Sequence, residues 1–367
     1  MNIRLLLSIF LLGVLAPRHG FGRTNTVVSI VGGDFHINGQ PTYAGRSWHG
    51  HRIEGLLLNS RMVQATFDDR NTQTVGRWAY PDTGRWDAGR NTREFIAAMP
   101  DWRRHGLLAV TLNLQGGSPE GYSKGQPWEN SAFDPDGSLR TNDFARLETI
   151  LDRADELGMV VILGYFYFGQ DQRLTNEAAV RRATDNTTRW LLTRGWRNVL
   201  VEIDNECNGS YHYDILKPAR VPELIERVQR EQVDGHRLLV STSYGGGRAP
   251  GTNVAAVADF LLLHGNGMKE PATVAALVRQ TRALSAKPMP VLFNEDDHYA
   301  FDQPTNNFTA AVDEHASWGF FDYRRQGEGL DEGYQSVPVN WAISSTRKRE
   351  FFRLLAEITG SKPGEAK

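Results

Sequence analysis

Two stretches carry the residues best suited to chemistry. Residues 198–208 read NVLVEIDNECN and residues 290–298 read PVLFNEDDH. Each is a short apolar run, too brief for a helix, that ends in Asn-Glu. Two buried strands of this build would present Glu206 and Glu295 at one mouth of a parallel barrel. Opposed carboxyls in such a mouth are equipped for acid/base and nucleophilic work on a glycosidic bond.

Positioning them requires a barrel, and the chain alternates accordingly. A hairpin is expected first, from strands at 27–30 and 34–37, with a turn at Asn38-Gly39. Barrel strands are then expected at 42–46, 107–114, 159–166, within 198–208, and at 238–241, 260–264, 291–294 and 318–323. Helical spacing or capping signals fall between them, at 91–104, 141–157 (capped by Thr141 or Asn142), 176–194, 221–233, 255–258, 271–284, 307–315 and 345–359. Residues 47–90 show little periodicity and read as an elaborated loop that walls a cleft. The fold class this implies is α/β: a single (β/α)8 TIM barrel with a short N-terminal β-hairpin. No Gly-x-Gly-x-x-Gly follows the first strand, which weakens a nucleotide-binding alternative.

Composition narrows the class further. The chain has 367 residues and a formal charge of −2, so no charge surplus points to nucleic acid or to a polybasic membrane patch. Arg4 precedes an apolar run over residues 5–16, too short to span a bilayer but right for a signal peptide. Residues 1–22 are therefore expected to be a signal, leaving 23–367 as one domain with no membrane span, a monomer secreted or periplasmic in location. Cys207 is the single cysteine, so no internal disulfide forms.

The strand ends expected at the mouth supply Arg46 and Trp48, Asn113, Tyr167, Asn205 with Glu206, Tyr244, His264 with Asn266, Glu295 followed by His298, and Trp318. Amides and imidazoles bond sugar hydroxyls, and aromatic faces stack on pyranose rings. A carbohydrate is therefore the expected partner, with no cofactor and no metal. For Glu206 to hold a proton near neutrality its pKa must be raised, and a negative Glu295 nearby would do that. Glu202 is expected to pair with a barrel arginine.

The run Val201-Glu202-Ile203-Asp204-Asn205-Glu206 and the Glu that ends the seventh strand resemble clan A of the glycoside hydrolases, which includes family 5 cellulases and mannanases. Phe35-His36-Ile37-Asn38-Gly39-Gln40-Pro41 is similar to the usual entry into such domains. The resemblance implies a retaining mechanism with Glu206 as acid/base and Glu295 as nucleophile. It also makes Trp318 the aromatic floor of the sugar subsite and His264 the strand-six histidine. The chain departs from the pattern in having Cys207 after the acid/base, His264-Gly265-Asn266 in place of His-x-Tyr, and Glu-Asp-Asp-His after strand seven. Tyr244 or Asn266 would then replace the tyrosine that bonds the nucleophile. Two other readings stand beside this one. The first is a carbohydrate-binding barrel without catalysis. The second is a metal-assisted hydrolase that uses His49, His51, Asp297 and His298.

Overall fold

The structure is a computed structural model that describes residues 25–123 and 125–364, so the expected signal at 1–22 lies outside the described residues. Eight parallel strands form the barrel: β1 (Asn59–Arg61), β2 (Ala109–Asn113), β3 (Val160–Tyr167), β4 (Val199–Asn205), β5 (Leu239–Ser241), β6 (Leu261–His264), β7 (Val291–Glu295) and β8 (Gly319–Phe321). Strands β5 through β1 pair in sequence, and β1 pairs with β8. Single parallel bridges, Leu292 to Ser317 and Asp296 to Phe320, join β7 to β8. The β5–β6 seam is held by Asp259 N–H donating to the Val240 carbonyl.

Helices alternate with the strands: α1 (Ala88–Arg104), α2 (Thr141–Leu157), α3 (Glu177–Arg194), α4 (Pro222–Arg230), α5 (Thr252–Val257), α6 (Pro271–Arg282), α7 (Asn307–Asp313) and α8 (Thr346–Thr359). Side-chain caps fix several starts. Asp87 accepts from Arg90 N, Asn176 from Ala179 N and Ser345 from Lys348 N. Helix α2 starts at Thr141 without a side-chain cap, so neither Thr141 nor Asn142 caps it. Gly158, Gly195 and Gly360 end their helices in the left-handed region, where a side chain would strain the backbone.

Two apolar layers follow from strand alternation. The inward set includes Leu57, Ala109, Ile162, Leu200, Leu262 and Leu292, joined by Val28 and Phe35. Those last two come from the N-terminal hairpin, Val28–Val31 with Asp34–Ile37, which plugs the bottom of the barrel and ties Val28 N to the Arg197 carbonyl. Asn38 and Gly39, both at positive φ, turn this hairpin into Gln40–Pro41, the use expected of an Asn-Gly pair.

One strand is misplaced in the sequence reading. Residues 42–46 do not enter the barrel; Arg46 Nε donates to the Ile358 carbonyl and Trp48 Nε1 to Glu357 Oε1. Helices run from the mouth to the bottom, so Arg46 and Trp48 sit at the end opposite the strand C-termini. The first barrel strand is instead Asn59–Arg61, entered from buried Leu56, Leu57 and Leu58.

Candidate active site

At the C-terminal mouth, Glu206 follows β4 and Glu295 ends β7. One carboxyl oxygen of each and a ring nitrogen of His264 all lie within 4.8 Å of one another. Backbone irregularities aim both acids. Glu206 adopts φ 55°, a conformation uncommon for a residue with a side chain, and its N–H donates to Ser243 Oγ at 2.9 Å. Ser243 Oγ in turn donates to Glu202 Oε1. On β7, Leu292 and Asn294 face inward by alternation, which would send Glu295 toward the helices. A register shift between Leu263 and His264 pairs His264 with Glu295 and turns the carboxyl to the mouth.

The partners of Glu295 account for both its oxygens. Asn266 Nδ2 donates to Oε1 at 2.5 Å, while Arg61 Nε forms an ion pair with Oε2 at 2.8 Å and His264 Nδ1 lies 3.5 Å from Oε2. Asn266, and not Tyr244, is thus the residue that bonds Glu295. Tyr244 is buried against Cys207 and the backbone of Gly251. Arg61 also donates from Nη2 to Asn205 Oδ1 at 2.6 Å, which leaves the Asn205 amide N–H2 as the group available to a ligand. The arginine expected beside Glu202 therefore serves Glu295. Glu202 accepts instead from Ser243 and Asn294 and lies 3.6 Å from His264 Nε2.

His264 Nδ1 approaches Glu206 Oε1 to 3.0 Å. Burial acts to lower the imidazole pKa, yet the surrounding carboxylates of Glu295, Glu202 and Glu206 raise it to about 10. Burial also pushes up the Glu295 carboxyl, with Arg61 and His264 opposing it. Burial acts to raise Glu206 as well, but the hydrogen bond and charge of His264 outweigh it and hold this carboxyl below its ordinary value. The expected order, with Glu206 raised by Glu295, is thus reversed in the protein alone, because burial lifts Glu295 while the hydrogen bond and charge of His264 lower Glu206. A proton donor is still at hand: His264, whose pKa is raised, places Nδ1 3.0 Å from Glu206 Oε1.

Other expected site residues divide. Tyr167 is at the site, close enough to Glu295, Arg61 and Glu206 for their charges to act on its hydroxyl, which lies 3.4 Å from Ser118 Oγ. Asn113 ends β2 and is buried against Gly164, with both amide atoms lacking a protein partner. His298 lies in the β7–α7 loop beside the Met268 backbone, outside the carboxylate cluster. Trp318 is a correction: it precedes β8, is fully buried, stacks on Phe308 at 4.8 Å and donates Nε1 to Asp296 Oδ2. It packs among the helices, where no sugar can reach it.

The proposed metal set is not assembled either. His51 lies 3.5 Å from Asp313 at the bottom end of α7, and His49 stacks on Trp48, whereas Asp297 and His298 follow Glu295 at the mouth. Among the described residues, the group with metal-ligand spacing is Glu206, His264 and Glu295 itself. Arg61, a buried cation already in contact with Glu295, opposes a second cation there. A cavity of about 620 Å³ lined by Tyr80, Arg90, Glu94 and Trp341 lies against the outer face of α1 and contains none of these residues.

Arg61 escaped the sequence reading because Leu-Leu-Leu-Asn-Ser-Arg lacks β-branched residues and ends in side chains that usually face water. The signal that could have found it is the triple leucine stopping at a charge, the same pattern that marked Glu206 and Glu295.

No protein-family model matches the chain, and no curated protein matches it by sequence. Solved structures do match by fold. An endo-1,4-β-mannanase from Rhizomucor miehei superposes with a TM-score of 0.57 at 14% identity, covering 92% of this chain and 100% of that one. A family 5 glycoside hydrolase from Bacteroides vulgatus gives 0.54 at 14%, covering 91% and 70%. A broad-specificity endoglucanase from Bacteroides salanitronis gives 0.54 at 11%, covering 83% and 93%. The chain thus has the barrel fold of the family 5 glycoside hydrolases, in keeping with the resemblance its motifs carry.

Proposed function

We propose that the protein is an exported retaining glycoside hydrolase. The observation that carries this reading is the opposition of Glu206 and Glu295, with one carboxyl oxygen of each within 4.8 Å of the other, at the mouth where barrel enzymes place their chemistry. Carboxyls about 5–5.5 Å apart suit direct attack by one of them, whereas an interposed water needs about 6.5–9.5 Å. In the first step a Glu295 oxygen bonds to the anomeric carbon as the bond from that carbon to the leaving oxygen breaks. The leaving oxygen takes the proton of Glu206, resupplied from His264 Nδ1 across their hydrogen bond. In the second step water attacks the anomeric carbon, its proton passes to Glu206, and Glu295 is released as carboxylate. Asn205, oriented by Arg61, holds the 2-hydroxyl of the bound sugar, a contact that strengthens in the transition state. Arg61 and Asn266 hold Glu295 for attack. The apolar run at residues 5–16 supports export.

The test is a screen of aryl glycosides and plant or algal polysaccharides with wild-type protein and Glu295→Ala side by side. Hydrolysis by the wild type that vanishes in the variant supports the reading. Hydrolysis by neither contradicts it and favours a carbohydrate-binding barrel without catalysis.

A further inference from the structure

Two loops are stitched together beside the mouth. In the β2–α2 loop, Pro119 accepts at its carbonyl from Val337 N at 2.8 Å, Glu120 forms an antiparallel bridge with Ser336, and the Ser118 carbonyl accepts from Gln335 Nε2. Residues 335–337 belong to the β8–α8 loop. Gly121 comes so close to Tyr323 that an added Cβ would lie 2.8 Å from the ring, and its φ of 93° suits glycine alone.

Tyr122 tops this seam. Its ring packs edge-on against Tyr323 at 4.9 Å and Phe321 at 5.6 Å, yet 54% of the residue is exposed. Its hydroxyl donates to Asp297 Oδ2 at 2.9 Å, and Asp297 Oδ1 accepts from Gly267 N. The result is a continuous wall, running from β2 across the ends of β1 and β8 to the loops after β7 and β6. The strand order sets β8 across the barrel from β4, the strand that leads into Glu206. On the Glu206 side the chain presents three consecutive glycines. Gly245, Gly246 and Gly247 follow β5, and an added Cβ at Gly245 would lie 3.8 Å from the Glu206 carboxyl.

The acid that protonates the leaving oxygen must lie on the leaving-group side of the cleaved bond. The glycone therefore extends away from Glu206, toward Tyr122. Resting on the glycosidase reading, we infer that this wall closes the glycone side of the cleft, so that the protein removes sugar from the non-reducing ends of chains and does not cut within them. Tyr122, held by Asp297, is the residue that sets this limit.

Reducing-end-labelled cello-, manno- and xylohexaose, sampled at early times and separated by length, test the inference. The expected pattern keeps the label on long products, each shortened by the same small unit. Tyr122→Ala should open the wall, and short labelled fragments from internal cuts should rise several-fold relative to the wild type. Short labelled fragments from the wild type at the earliest times would overturn the inference while leaving the glycosidase reading intact. Failure to cleave any hexaose or any aryl glycoside would overturn that reading, and this inference with it.

Discussion

Arg61 and Glu295 meet as an ion pair 2.8 Å apart with almost no access to solvent, their side chains 1% and 7% exposed. Removing one member of a buried pair leaves the other charged and unmatched, at a cost of about 3–5 kcal/mol. Arg61→Met should lower unfolding stability by about that amount in urea titration. It should also abolish most turnover, because Asn205 loses its orienting donor in the same step. Stability within about 1 kcal/mol of wild type would show that the pair does not hold the mouth together.

Glu206 and Glu295 should respond differently to the leaving group. Glu295→Ala should remove activity on every substrate, with partial rescue by azide or formate. Glu206→Ala should slow substrates with poor leaving groups far more than activated aryl glycosides, since only the former need a proton. Steady-state kinetics over a series of aryl glycosides of graded leaving-group pKa checks this. A flat dependence in the variant would remove Glu206 from the acid role.

The pH profile follows from the cluster. Glu295 must be ionised to attack, and burial lifts its carboxyl above the ordinary 4.5, so the acid limb of kcat/KM should lie above pH 4.5. The proton shared by His264 and Glu206 is retained until about pH 10, which should set the basic limb. His264→Gln should pull that limb down toward the carboxylate range. Stability has its own sign: the folded pKa of His264 is raised from 6.5 to about 10. Its contribution is therefore complete below about pH 6.5 and lost as pH rises through about 10. Urea midpoints should fall across that window in the wild type and change less in His264→Gln.

Trp318 separates the structure from the sequence expectation. As a buried donor to Asp296, it should behave as a core residue. Trp318→Phe should cost about 1–3 kcal/mol through loss of one of the two donors to Asp296 Oδ2, the other being Asn307 Nδ2, while KM stays near wild type. A large rise in KM without loss of stability would return Trp318 to the sugar subsite.

Much of the barrel was legible because the deciding signals are local. Strands β2 to β7 are apolar runs bounded by glycine or polar loops, and Glu206 and Glu295 stand out as charges at their ends. Helix α5 is six residues long and offered less than two turns of periodicity to read. Strand β1 was missed because all three of its side chains, Asn59, Ser60 and Arg61, are polar groups buried by contacts with distant strands. Trp318 was placed at the wrong end of β8: the tryptophan precedes the strand, which ends at Phe321, and packs against Phe308 and the helices. The aim of Glu295 depends on a register shift against β6, a property of two strands that no single stretch displays. The stitching of the β2–α2 loop to the β8–α8 loop joins residues more than two hundred positions apart.

The most direct measurement is the anomeric configuration of the first sugar released. Proton NMR of an aryl glycoside digest, read before mutarotation, reports it. Attack by Glu295 followed by attack of water inverts the anomeric carbon twice, so the first-formed product should keep the configuration of the substrate. Product of the opposite configuration would contradict the nucleophile role of Glu295 and require a water between the two carboxyls.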